Sequence, residues 1–183
     1  MKWTQQIRMP RGWLGLSIAV AWKPCTGSKV VGVSNRIGAR YCPFFDYDQD
    51  VPQLLIAEIR DLQDRFLLGD AFFFKTGRGY HVIIPELLPL FEWTEILKAS
   101  TVEAAYAHLP QINKSRAWVL RVTPKGNNRC EYAGCVPGIN GRETSRDMIQ
   151  HLTLRGVPEE DLREAKHFMQ EQEYGLTYAT YEA

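Results

Sequence analysis

The chain has 183 residues and 45% hydrophobic residues, enough apolar material for one domain with its own core. No stretch approaches the ~20 apolar residues of a membrane span. The net charge of +1 hides an asymmetry: residues 1–45 carry seven Lys/Arg and no acid, residues 104–130 carry five and no acid, and the last 25 residues carry seven acids against two bases. Ordinary solvated surface charge is the plain reading of either basic stretch alone; two of them around an acidic pair suit a polyanion approaching a metal site.

Lys2, Arg8 and Arg11 followed by Trp13–Trp22 imitate a secretory leader. Gly15 and Ser17 interrupt the apolar run, however, and Leu14, Leu16, Ile18 and Val20 alternate, so residues 12–22 read as a strand. Residues 28–34 read as a second strand after the turn-rich 23–27, and the aromatic run 41–47 as a third. Leu54, Leu55, Ile56, Ile59, Leu62 and Phe66 predict a helix through about Leu67, with Asp50 as N-cap and Pro52 in the first turn. A buried strand is expected at 71–75, a turn at 76–79 and a strand at 80–84. An interrupted helical region follows from Glu86, continuing over 93–108. The segment 117–123, the turn 124–128 and the return strand 129–136 predict a hairpin. Two helices close the chain: about 145–154, capped by Thr144 or Ser145, and about 159–173, opened by Glu159, Glu160 and Asp161. The expected fold class is α+β, a single domain with a mainly antiparallel or mixed sheet and flanking helices.

The cysteines, Cys25, Cys42, Cys130 and Cys135, are irregularly spaced. Cys130 and Cys135 could form half of a zinc site, but no second pair stands nearby. Reduced, partly buried thiols in a cytoplasmic protein are the preferred reading.

Two segments carry chemistry. Phe44-Phe45-Asp46-Tyr47-Asp48 ends an apolar strand in alternating acids. Residues i and i+2 of a strand share a face, so the two carboxylates would repel without a cation between them. As hard oxygen donors, Asp46 and Asp48 suit Mg²⁺ or Mn²⁺. An acid at a strand end that caps the next helix is the competing structural explanation. In Lys75-Thr76-Gly77-Arg78-Gly79-Tyr80-His81, the glycines permit close backbone approach to a ligand, and their amides could face phosphate oxygens. Lys75 and Arg78 supply charge, and His81 could donate to a triphosphate. A plain β-hairpin with a partly buried histidine is the alternative.

Together these segments resemble the first two motifs of the archaeo-eukaryotic primase superfamily: apolar residues with Asp-x-Asp, then a small hydroxyl residue, a Gly-Arg-Gly turn and a histidine before an apolar strand. The resemblance covers about residues 40–85. It implies a primase-polymerase-like catalytic domain with an RRM-like core, whose acids hold catalytic metals and whose second motif contacts the incoming nucleotide's phosphates. The implied activity is metal-dependent nucleotidyl transfer from nucleoside triphosphates on a single-stranded DNA template, with RNA also open. Helicase or other replication proteins would act in trans, in the cytoplasm at a nucleoid, viral or plasmid replication site.

The third motif departs from the family pattern. Arg121 stands on the strand where another acid is expected, and no aspartate lies between Asp70 and Asp147. Glu131 is the nearest acid that could stand in; Glu92, Glu95 and Glu103 read as helix-surface residues. Arg121 would assist nucleotide binding, and Arg116, Lys125 and Arg129 would follow the template backbone or the triphosphate tail. Tyr41 and Tyr47 could stack on bases. Three outcomes stay open: an active enzyme, a nucleotide- or single-strand-binding module that has lost catalysis, and a metal-dependent nuclease using Asp46, Asp48 and His81.

Overall fold

The two motif-bearing segments fold into hydrogen-bonded neighbours in the main sheet of an α+β architecture. The computed structural model describes residues 32–102, 104–108, 117–122, 130–139, 141–167 and 169. The expected strand over 12–22 and the end of the last helix lie outside them.

Four strands form the main sheet: β4 (Phe44–Tyr47), β5 (Ala71–Lys75), β6 (Tyr80–Ile83) and β8 (Glu131–Val136), in the order β4-β6-β5-β8. β1 (Gly32–Ser34) pairs with β7 (Val119–Arg121), and β2 (Arg36–Ile37) with β3 (Arg40–Tyr41). Every strand pairing among the described residues is antiparallel. The aromatic run 41–47 is therefore two strands rather than one. Cys42 and Pro43 separate β3 from β4, and Gly38 turns the β2–β3 hairpin at φ 61°.

α1 (Pro52–Phe66) buries Leu55, Ile59 and Leu62 at helical spacing. Its N-cap is Val51, with no side-chain cap; Asp50 instead pairs with Lys75. Gln63 anchors the far end by donating to the carbonyls of Gly69 (2.8 Å) and Val136 (3.1 Å). The helical region expected over 93–108 divides into α2 (Leu90–Ala99) and α3 (Ala104–Ala107), with Ser100 extended between them. α4 (Arg146–Leu154) is capped by Ser145, whose hydroxyl accepts from the Met148 N–H at 3.2 Å. A further helix covers 159–167.

Both faces of the sheet are covered. On one, Phe45 meets Trp93 of α2 edge-on at 5.4 Å, and the Tyr47 hydroxyl donates to Glu58 of α1 at 3.0 Å. On the other, Arg155 lies 4.3 Å over the Phe74 ring, and the Tyr132 hydroxyl donates to Asp161 at 2.6 Å. Trp118 packs on Trp93 at 5.5 Å and ties the small β1–β7 sheet to this core. Phe44, Phe45, Phe72, Phe74 and Trp93 are fully buried, each a stabilisation of roughly 1.5–3 kcal/mol against exposure.

The expected hairpin between 117–123 and 129–136 does not form: β7 pairs with β1, while β8 joins β5. The physical reason is the state of β5. Ala71–Phe74 is buried, so its outer row of backbone donors and acceptors needs a partner, and β8 supplies it. The turn 124–128 lies outside the described residues.

Candidate functional site

The register of β4 against β6 sets the geometry. Asp46 lies directly opposite His81, and Tyr47 opposite Tyr80. The Asp46 carboxylate lies 3.4 Å from the His81 Nε2, within ion-pair distance. Thr76 and Gly79 close the β5–β6 turn: the Thr76 N–H donates to the Gly79 carbonyl at 2.9 Å, and its hydroxyl accepts from the Gly79 N–H at 3.1 Å. Gly77 and Arg78 form the exposed tip. The Gly79 amide thus stays within the turn, leaving those of Gly77 and Arg78 as the candidate anion donors. Gly79 has a steric role. A Cβ there would stand 1.7 Å from the Tyr47 carbonyl oxygen and 3.0 Å from the Asp48 Cα, so only glycine lets the hairpin lie against the acidic strand end.

His81 is the hub. Its side chain is only 10% exposed, and both ring nitrogens have partners: Nε2 faces Asp46, and Nδ1 lies 3.6 Å from the Cys130 sulfur. Burial by itself lowers the imidazole's pKa, but hydrogen bonds and charge from Asp46 and Cys130 outweigh it and raise the value to about 9. His81 is a cation at neutral pH. Burial raises the Cys130 thiol, and here too the partners win: His81 and Arg155 bring it below its ordinary value. The Arg155 guanidinium donates to the Cys130 sulfur at 2.9 Å. Carboxylate, imidazole, thiol and guanidinium therefore follow one another on one face of the sheet, contributed by β4, β6, the residue before β8 and the residue after α4.

The remaining candidates are placed differently. Strand alternation puts Lys75, Tyr80 and Glu131 on the opposite face, with Lys75 opposite Glu131 in register. Lys75 pairs with Asp50 and lies 4.6 Å over the Tyr80 ring. Asp48 is exposed just beyond β4, and Arg121 sits on β7 in the separate two-stranded sheet. Arg116, Lys125 and Arg129 lie outside the described residues. Tyr41 and Tyr47 are buried at 4% and 1% exposure, so neither offers a ring for base stacking. Cys130 and Cys135 do not converge: one precedes β8 and faces His81, the other lies opposite Phe72.

Asp46 and Asp48 stand at the end of β4, and the His81 ring lies 3.4 Å from the Asp46 carboxylate. A cation held by Asp46 would share that carboxylate with the His81 ring. Glu131 faces the other way, which leaves Asp48 as the one candidate carboxylate standing free of these constraints. Cys130, His81 and Asp46 cannot share one ion either, because the thiol and the carboxylate sit at opposite nitrogens of the same ring. Among the described residues, no other group of three His, Cys, Asp or Glu side chains converges on a cation site.

Two members of this cluster were not legible as such. Cys130 offers a sequence signal only as a possible zinc ligand, and Arg155 follows α4 without any motif. Nothing local marks either, because their partners are 49 and 25 residues away. No protein-family model matches the chain, and neither a curated protein nor a solved structure does. No helix among the described residues is long and apolar enough to cross a membrane.

Proposed function

We propose that the chain is a nucleotide- and single-strand-binding protein of nucleic-acid replication, built on a primase-polymerase-like framework. One observation carries this reading: the two motif segments are adjacent antiparallel strands, with Gly79 seated against Tyr47 and Asp48. The Gly77–Arg78 tip then offers backbone amides and a guanidinium to phosphate oxygens. Because both ring nitrogens of His81 are engaged, its contribution would be positive charge rather than a new hydrogen bond. The acid-free basic stretches 1–45 and 104–130 are the proposed path of a nucleic-acid strand.

A second reading, metal-dependent nucleotidyl transfer, is favoured by the placement of Asp46 and Asp48 at the strand end beside the hairpin tip. It would require a third acid from outside the Asp46–His81 cluster.

The test combines binding and synthesis. Nucleoside triphosphate binding, followed by calorimetry with and without Mg²⁺ or Mn²⁺, should weaken about tenfold in Arg78→Ala, the loss of a charge-assisted contact. Primer synthesis or extension on a single-stranded template should be absent. Extension abolished by Asp46→Ala and Asp48→Ala would replace the binding reading with the enzyme, template degradation would favour a nuclease, and no nucleotide binding would overturn both nucleotide readings.

A further inference from the structure

Cys130 and Arg155 belong to no motif, yet they join His81 and Asp46 in a contiguous group of titratable and charged side chains. The Cys130 sulfur is half-buried, with a guanidinium nitrogen at 2.9 Å and an imidazole nitrogen at 3.6 Å. Two cations converge on one sulfur from different elements, Arg155 after α4 and His81 on β6. Arg155 is itself fixed by the Phe74 ring at 4.3 Å and by the Cys130 carbonyl at 3.4 Å. Asp46 stands at the far side of the imidazole at 3.4 Å, where its charge favours the protonated ring. Other titratable groups around the cluster include Tyr106, which feels the Asp46 charge and donates to the Phe44 carbonyl, His151 near Arg155, and Asp161, whose carboxylate accepts from Tyr132.

We propose that Cys130 is a reactive thiol that small hydroperoxides oxidise to a sulfenic acid, making it a redox-sensitive modification site beside the Asp46–His81 pair. The inference does not depend on the nucleotide reading.

The chemistry balances with groups in place. The thiolate attacks the terminal oxygen of the hydroperoxide, so an S–O bond forms and the O–O bond breaks. Sulfur loses two electrons and the peroxide gains them. The departing alkoxide or hydroxide takes the proton from His81 Nδ1 and leaves as alcohol or water. Two cations beside the sulfur favour the thiolate, and the same guanidinium can stabilise the leaving oxygen as its charge develops.

The product would not be captured by the other described thiols. Cys135 is five residues along an extended strand, roughly 16 Å away, whereas a disulfide requires Cα atoms within about 7 Å. Cys42 is buried in the core. Reduction would fall to an external thiol. Oxidation also removes the sulfur's negative charge from Nδ1, leaving Asp46 as the anionic partner of His81.

The three described thiols in one folded chain make the test. The intact protein is treated with hydrogen peroxide at pH 7, sulfenic acid is trapped with dimedone, and adducts are located by peptide mass spectrometry. Cys130 should carry the adduct at least about tenfold more than Cys42 or Cys135. Its alkylation rate with iodoacetamide should reach half-maximum below pH 9, the ordinary thiol value. Arg155→Met should move that midpoint up toward 9, and Arg155→Lys should restore part of the shift. An adduct no greater at Cys130 than at Cys135, or a wild-type midpoint at or above 9, overturns the proposal, and neither measurement requires a variant to fold.

Discussion

The two faces of the main sheet hold charged residues one step apart in register and treat them in opposite ways. On the α1 side, Lys75 and Asp50 form an ion pair whose side chains are 36% and 61% exposed. Water screens such a pair, and ordering two side chains offsets most of the Coulomb gain. On the other side His81 is 10% exposed and lies between Asp46 and Cys130, so each neighbour's charge acts with little solvent between. Two charged contacts on one sheet thus differ in consequence because of depth and the number of partners. The ion pair decorates the rim. The His81 cluster moves the imidazole's pKa up and the Cys130 thiol's down.

Breaking the seam that both faces share should have the largest effect. Gly79→Ala places a Cβ 1.7 Å from the Tyr47 carbonyl, and the backbone cannot absorb that overlap without parting β4 from the hairpin. A loss of about 3 kcal/mol or more is expected in urea unfolding, with triphosphate binding lost as well. A Gly79→Ala protein of wild-type stability would show that the strand end and hairpin do not pack as described.

Separating the imidazole from its partners comes next. His81's folded pKa of about 9 lies above its ordinary 6.5, so its contribution is complete below 6.5 and disappears as pH rises through 9. In the wild type, the upward shift of His81 and the downward shift of Cys130 act on this slope with opposite signs. Cys130→Ser removes that opposing contribution together with the part of the imidazole's shift that the sulfur supplies, leaving a fall of about 1 kcal/mol between pH 6 and 10 from Asp46, discounted for that carboxylate's partial exposure. Adding Asp46→Asn should remove most of that slope. Urea midpoints across this pH range decide the matter, and a slope of opposite sign would mean that His81 is neutral in the fold.

The smallest effect belongs to the rim. A double-mutant cycle with Lys75→Gln and Asp50→Asn should yield a coupling of about 0.5 kcal/mol or less, vanishing in high salt. A coupling comparable to that of His81 and Asp46 would erase the distinction between the faces.

Much of the local structure was legible from the chain because the signals are local. The spacing of Leu55, Ile59 and Leu62 marked α1, and Thr76–Gly79 marked the turn. Ser145 marked the cap of α4. The pairing of Asp46 with His81 was half legible: alternation placed each at a strand end or start, but only the register set them face to face. Lys75 was grouped with the site because it adjoins the Gly-Arg-Gly turn, and Glu131 as a stand-in for the missing third acid, but strand alternation sends both to the opposite face.

What the sequence determined by itself is therefore the periodic and the contiguous: an α+β chain, the principal helices and strands, and two motif segments rich in ligand-binding chemistry. Tertiary structure decided which edge β8 would join, which face each charged residue would occupy, and that Cys130 and Arg155 would meet His81. The reason is physical. Helix and turn signals rest on interactions among residues a few positions apart, whereas strand pairing and charge coupling depend on distant segments satisfying one another's hydrogen bonds and charges. Between Asp46 and Arg155 that span is most of the chain.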